Sequence, residues 1–252
     1  MPSDRITQVE RLLTGAAGGY LHNVVRAPGH TCSVCTTPVE GYPTCWRCNQ
    51  TASEAGLADL VVPLTYAVAG DQSAAMLRHY KDDPHPGIRF QHLRIINWLL
   101  YLGLALHQRC IEVVAAQPIT HRLALPLLRG RAGLHPFLAL TQGMGATDRS
   151  PQFVAAPEVS GDRIVDDRQF LLTPPTDLAG QHVLILDDTW TTGCRAQSAA
   201  LTLRRAGAQR ISVLVIGRWL DPTFAGNPAF LSAICHGDYD PHRCPVTGDR
   251  CP

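Results

Sequence analysis

Apolar positions along this chain change period several times, and each change marks an element. A short helix opens the chain through Ile6, Val9, Leu12 and Leu13, followed by a glycine-rich exit. "DLVVPLTYAV", residues 59–68, reads as a strand, and "QSAAMLRHYK", residues 72–81, as a few helical turns. "GIRFQHLRIINWLLYLGLALHQR" predicts a long helix, with "CIEVVAAQP" after it as a buried strand ending at Pro118. A Pro- and Arg-bearing connection leads to a helix at "PFLALTQGM"; residues 146–180 are loop-rich, with "RQFLLT" as a short strand. Order then returns as strand "HVLILDD", helix "RAQSAALTLRRAG" and strand "RISVLVIGRW". Gly207 stops that helix, and Arg204 and Arg205 suit the negative end of its dipole. Strand–helix–strand in this order requires a parallel crossover. The last 35 or so residues read as irregular.

A length of 252 residues fits one α/β domain with a small appendage, and 45% hydrophobic content argues against disorder. The expected division is 1–56 for the N-terminal helix and a cysteine module, 57–220 for the main domain, and 221–252 for a Cys/His-rich tail. A formal charge of +1 leaves no broad basic footprint, so nucleic acid is a disfavoured partner. The apolar run Ile95–Leu106 is too short to span a membrane, and the opening "MPSDRITQVERLLTGAAGG" lacks the pattern of a secretory leader. A cytoplasmic, membrane-free protein is the expectation. There, nine cysteines stay reduced and point to metal rather than disulfides.

Four of them stand as two Cys-x-x-Cys knuckles, Cys32/Cys35 and Cys45/Cys48, in a segment without a core-forming pattern. Two facing knuckles make a closed tetrahedral thiolate site suited to structural zinc, which supplies folding energy that a small module lacks. The tail carries Cys235, Cys244 and Cys251 with His236 beside the first, a candidate second zinc set of less regular spacing. The plainer alternative is an exposed tail with free thiols.

The densest chemistry lies in "VLILDDTWTTGCRAQ". Asp187 and Asp188 end an apolar strand, where open α/β sheets bind ligands. Thr191, Thr192, Gly193 and Cys194 open the next helix, whose unpaired N–H groups and dipole favour a phosphate. Gly193 permits close backbone approach, and the threonine hydroxyls add donors. Acids for a diol beside a phosphate cradle describe a ribose 5-phosphate ligand.

This stretch resembles the loop that binds 5-phosphoribosyl 1-pyrophosphate (PRPP) in type I phosphoribosyltransferases. The resemblance implies their fold, a parallel sheet flanked by helices, here with a small zinc-ribbon-like module in front. It assigns Asp187 and Asp188, the catalytic positions, to the ribose hydroxyls, and Thr191, Thr192, Gly193, Cys194 and Arg195 to the phosphate cradle, with Thr189 between them as a further substrate-binding position. Thr189 stands where an aliphatic is usual, and Arg195 where a small hydroxyl is usual. A four-cysteine module ahead of such a domain is similar to the ComF-type (competence protein F-like) proteins. Their tyrosine-to-lysine segment is matched in outline by "YAVAGDQSAAMLRHYK", ending at Lys81, the single lysine of the chain. The family's pyrophosphate loop maps onto "VVAAQPITHR", implicating Gln117, Pro118, Thr120 and Arg122, with Arg129 and Arg131 downstream. The usual Gly-Phe-Asn-Gln signature is missing, so the acceptor pocket is expected to differ.

The implied reaction transfers the 5-phosphoribosyl group from PRPP, with Mg²⁺, to a nitrogen nucleophile and releases pyrophosphate. The alternative is a non-catalytic PRPP- or nucleotide-sensing regulator, or a DNA-uptake accessory protein, on the same fold. The expected partners are PRPP and a small nitrogen acceptor, with a homodimer as a further expectation. Residues 146–167 are a candidate lid; Asp166, Asp167 and Arg168 within or beside it, and His121 and His135 nearby, remain open between solvent-facing and functional roles.

Overall fold

The computed structural model describes residues 2–128, 135–157, 163–224, 226–234 and 237–252. In chain order the elements are α1 (Pro2–Ala17), α2 (Trp46–Thr51), β1 (Leu60–Val68), α3 (Gln72–Asp82), α4 (Pro86–Ala115), β2 (His121–Ala124) and α5 (Pro136–Gly143). There follow β3 (Gln152–Ala155), β4 (Phe170–Thr173), β5 (His182–Trp190), α6 (Cys194–Arg205), β6 (Arg210–Leu220) and α7 (Asn227–Ile234).

The main sheet has the order β1–β6–β5–β2, every pair parallel, with β3 and β4 forming a separate antiparallel ribbon. The fold is thus the expected α/β arrangement of a parallel sheet flanked by helices. β5 and β6 are buried along nearly their whole length, which explains why their sequences are continuous apolar runs rather than alternating ones. On one face lie Leu13 and Ala17 of α1, Met76, Leu77 and Tyr80 of α3, the long stripe of α4, and Tyr239, Cys244 and Val246 from the tail. The other face packs against Ala196, Ala199, Ala200 and Leu203 of α6, against Phe153 and Phe170 of the ribbon, and against Cys32, Cys35 and Cys48.

One predicted strand is a helix. "CIEVVA" continues α4, because Cys110 and Ile111 extend the buried positions Leu99, Leu100, Gly103 and His107 at helical spacing. Local β-branched residues lose to that tertiary stripe; Val113 and Val114 project outward, 44% and 51% exposed. The helix ends at Ala116, in the left-handed conformation at φ 54°. The strand of this region is β2, which begins only after Pro118.

Gly217 is a close-approach position. A Cβ there would sit 2.3 Å from Leu77 Cδ1, so its absence lets α3 press onto β6. The outer edge of β1 is also covered: His22 forms an antiparallel bridge with Tyr66, whose N–H donates to the His22 carbonyl at 3.0 Å. Thr65 Oγ1 adds a 2.8 Å bond to the same carbonyl.

The tail, read from sequence as irregular, contains α7 and a series of pinned turns. Tyr239 N–H donates to Gly18 O at 2.9 Å, Asp240 N–H to Asn23 Oδ1 at 2.9 Å, and Arg26 Nε to Pro245 O at 2.7 Å. Among the described residues, no helix is long and apolar enough to cross a membrane.

Candidate functional site

β5 delivers Asp187 and Asp188 to its C-terminal end, only 4% and 1% exposed. Two adjacent buried carboxylates need compensation, and neighbouring elements supply it. From α3, Lys81 Nζ lies 2.5 Å from Asp188 Oδ2, and the preceding residue, Tyr80, donates its hydroxyl to the same oxygen. His135 Nε2 stands 4.0 Å away, at the start of α5. Arg195, one residue into α6, places Nη2 3.6 Å from Asp187 Oδ1 and donates to Pro126 O at 3.2 Å.

These surroundings separate the two acids. Burial raises the Asp187 carboxyl, against the opposing pull of Arg195. Burial would raise Asp188 as well, but Lys81 and Arg195, with hydrogen bonds from Lys81 and Tyr80, hold it below the usual range. Tyr80 is itself pushed well above the normal phenol value, by burial first and then by the charge of Asp188, and so remains a donor.

Behind the acids, the chain turns sharply into α6. Gly193 caps that helix at φ 81°, and a Cβ there would meet the buried Trp190 ring at 2.2 Å. Only glycine satisfies both conditions. A cavity of about 490 Å³ opens here, lined by Asp187, Asp188 and all residues from Thr189 to Arg195, together with Lys81, Arg78 and Arg163. The acid pair, the lone lysine and the threonine–glycine loop therefore share one cavity.

Arg218, 7% exposed on β6, fixes the root of that loop. Its Nη1 donates to the carbonyls of Trp190 and Thr191, both at 2.9 Å. Its Nε donates to Thr37 Oγ1 at 2.9 Å, within the four-cysteine module. Sequence reading passed over Arg218 and Tyr80. The available signals were a lone charge inside the apolar run "VLVIGRW" and a tyrosine directly before the only lysine.

Cys32, Cys35, Cys45 and Cys48 gather with all sulfurs within 4.8 Å of one another. Cys35 Sγ lies 3.7 Å from Cys45 Sγ and 3.5 Å from Cys48 Sγ. A zinc tetrahedron with Zn–S bonds of about 2.3 Å has edges of about 3.8 Å, so this donor set fits the ion. Thiol hydrogen bonds from Cys32, Cys45 and Cys48 push Cys35 well below the ordinary thiol range.

Other sequence-predicted residues are not brought to this cavity. Gln117, Pro118 and Thr120 precede β2, at the opposite end of the sheet from the acids. Gln117 Nε2 donates to Gly180 O at 2.6 Å, and Thr120 Oγ1 to His182 O at 3.0 Å. Arg122 Nη2 turns to Gln108 of α4 at 2.7 Å, and His121 pairs with Asp148 at 2.9 Å. The misplacement follows from treating the end of α4 as a strand: the loop at the C-terminal end of the real strand starts at Leu125, which bonds Leu186 O at 3.1 Å. Arg129 and Arg131 lie outside the described residues. In the candidate lid, Asp166 pairs with Arg168, and Asp167 with Arg205 of α6. Cys235 and His236 also lie outside the described residues, whereas Cys244 and Cys251 are gathered with His107 and Cys110 of α4.

No family model matches the chain, and no curated protein matches it. Among solved structures, it is similar to a phosphoribosyltransferase from Corynebacterium diphtheriae, at 25% identity over 56% of this chain and 69% of that one, with a TM-score of 0.28. It is also similar to a purine phosphoribosyltransferase from Pyrococcus horikoshii Ot3, at 17% identity over 51% of this chain and 91% of that one, with a TM-score of 0.27. Superpositions at that level carry no weight for the chemistry, which has to come from the residues of the site.

Proposed function

We propose that this chain is a PRPP-binding enzyme of the phosphoribosyltransferase type, transferring the 5-phosphoribosyl group to a nitrogen nucleophile with release of pyrophosphate. The observation that carries the reading is the joint presence of the buried acid pair and the Thr191–Arg195 loop on one cavity. Asp187 and Asp188 accept the ribose 2′- and 3′-hydroxyls, and the loop N–H groups with Thr191 and Thr192 hold the 5-phosphate at the start of α6. Thr189 and Cys194 complete the wall, and Arg195 neutralises charge on Asp187 or on the entering phosphate. Lys81 keeps Asp188 ionised and lies within the cavity for the anionic ligand.

As pyrophosphate leaves the anomeric carbon, positive charge develops on the ribose ring and negative charge on the departing diphosphate. The chain's contribution is positioning and electrostatic stabilisation: buried carboxylates beside the ring, and cations facing the leaving group. Mg²⁺ accompanying the diphosphate would supply further neutralisation of that leaving charge. The zinc-bearing Cys32–Cys48 module and the Lys81 segment extend the resemblance to the ComF-type group.

A sensor without catalysis is the second reading. It is favoured by the engagement of Asp188 with Lys81 and Tyr80, which a ligand has to accommodate or displace. Titration calorimetry with Mg-PRPP on the wild type and Asp188→Ala tests the shared premise: the variant loses at least about tenfold in affinity, from a lost charged hydrogen bond. Equal affinity in both proteins refutes the site. Pyrophosphate release with a panel of nitrogen acceptors separates the enzyme from the sensor.

A further inference from the structure

His107 and Cys110 are three residues apart on α4, so both face the same side of the helix within one turn. The tail returns across that turn and brings Cys244 and Cys251 to them. The four ligand atoms lie within 4.8 Å of one another, with His107, Cys110 and Cys244 buried and Cys251 exposed. We propose that His107, Cys110, Cys244 and Cys251 bind a second zinc ion, which clasps the C-terminal tail onto α4.

Geometry beyond proximity supports the assignment. Cys251 Sγ lies 3.6 Å from His107 Nδ1. A tetrahedral ion with Zn–S of about 2.3 Å and Zn–N of about 2.0 Å sets that edge at about 3.5 Å. The other imidazole nitrogen is already used: His107 Nε2 is 2.8 Å from the carbonyl of Pro241. A carbonyl only accepts, so Nε2 carries the proton and Nδ1 presents its lone pair to the cluster. Metal-ligating histidines are oriented in the same way by an outer acceptor.

The tail around Cys244 is shaped as a turn that aims its sulfur. Cys244 N–H donates to Asp249 O at 2.8 Å, and Gly248 N–H returns to Cys244 O at 2.8 Å. Three thiolates and one neutral imidazole form a closed set, which makes the ion structural rather than catalytic. The site is separate from the Cys32–Cys48 cluster, which packs on the opposite face of the sheet.

The test uses the full chain with zinc or cobalt alone as the probe. Elemental analysis returns two zinc ions per wild-type chain, falling to one in Cys244→Ser and in Cys251→Ser; the latter alters an exposed position and leaves the core intact. His107→Cys retains two metals, and its cobalt-loaded form gains thiolate-to-cobalt charge-transfer intensity as three sulfurs become four. A wild-type zinc content of one that is unchanged by Cys251→Ser and Cys244→Ser overturns the proposal. So does a cobalt spectrum of His107→Cys identical to the wild type, or a wild-type mass two hydrogens short from a Cys244–Cys251 disulfide.

Discussion

Arg218 and Thr37 are 2.9 Å apart, Nε to Oγ1, and the same guanidinium holds the Trp190 and Thr191 carbonyls. One buried side chain thereby joins the four-cysteine module to the root of the candidate phosphate loop. Replacing Arg218 with methionine leaves two loop carbonyls and the Thr37 hydroxyl without their donor. The expected loss is on the order of 1–3 kcal/mol in urea denaturation, together with weaker Mg-PRPP binding. A metal ion on the four cysteines would hold Thr37 in place, so treatment with a chelator is expected to weaken that binding as well; calorimetry before and after chelation reads this directly.

Lys81→Met removes the main counter-charge of Asp188. Burial raises that carboxyl, and the Lys81 charge leads the opposing effects that bring it down to about 2. A carboxyl depressed in the folded chain contributes stability above its unfolded value of about 3.9, and this is lost as pH falls toward about 2. Without Lys81, burial is opposed only by Arg195 and the Tyr80 hydroxyl, and the carboxyl rises. The acid-unfolding midpoint then moves up by about one pH unit, seen by circular dichroism across an acid titration.

Asp187 behaves oppositely. Burial lifts it to about 6, with Arg195 as the leading opposing influence. A raised carboxyl is more easily protonated in the folded chain, so stability declines as pH rises from about 3.9 through about 6. Asp187→Asn removes this cost. The variant is therefore more stable than the wild type at pH 8, by on the order of 1–3 kcal/mol, and the advantage vanishes near pH 4. Its affinity for Mg-PRPP falls above about pH 6, where Asp187 is ionised and the diol loses an anionic acceptor.

Gly193→Ala tests the loop conformation. The substitution combines φ 81° with a Cβ at 2.2 Å from the Trp190 ring, so either the ring or the loop moves. The expected cost is on the order of 1–3 kcal/mol in stability. Mg-PRPP affinity drops with it, and a Trp190→Phe background partly restores both by relieving the contact.

How much of this was legible in the sequence depended on whether neighbours in space were also neighbours in the chain. The acid pair, Gly193 and the four-cysteine knuckles are local patterns, and their local geometry emerged as read. The Lys81–Asp188 contact was open only to the extent that a solitary lysine invites inspection; nothing in the chain says which acid it meets. The end of α4 was misread because Val113 and Val114 favour strands locally, whereas the stripe through His107, Cys110 and Ile111 carries the helix on. That single error displaced Gln117, Pro118 and Thr120 to the wrong end of the sheet. It also hid His107 and Cys110, whose partners lie more than a hundred residues downstream.

The bridge between His22 and Tyr66 has a consequence for handling the protein. β1 is an edge of the main sheet, nine residues long and almost wholly apolar, with its outer side shielded partly by the strand-like stretch around His22. A chain trimmed before Thr31, close to the first cysteine knuckle, loses that cover and the packing of Leu13, Ala17 and Leu21 with it. Its bare edge would then offer unsatisfied amide and carbonyl groups to another molecule's strand. Self-association, rather than simple unfolding, is the failure expected of such a truncation.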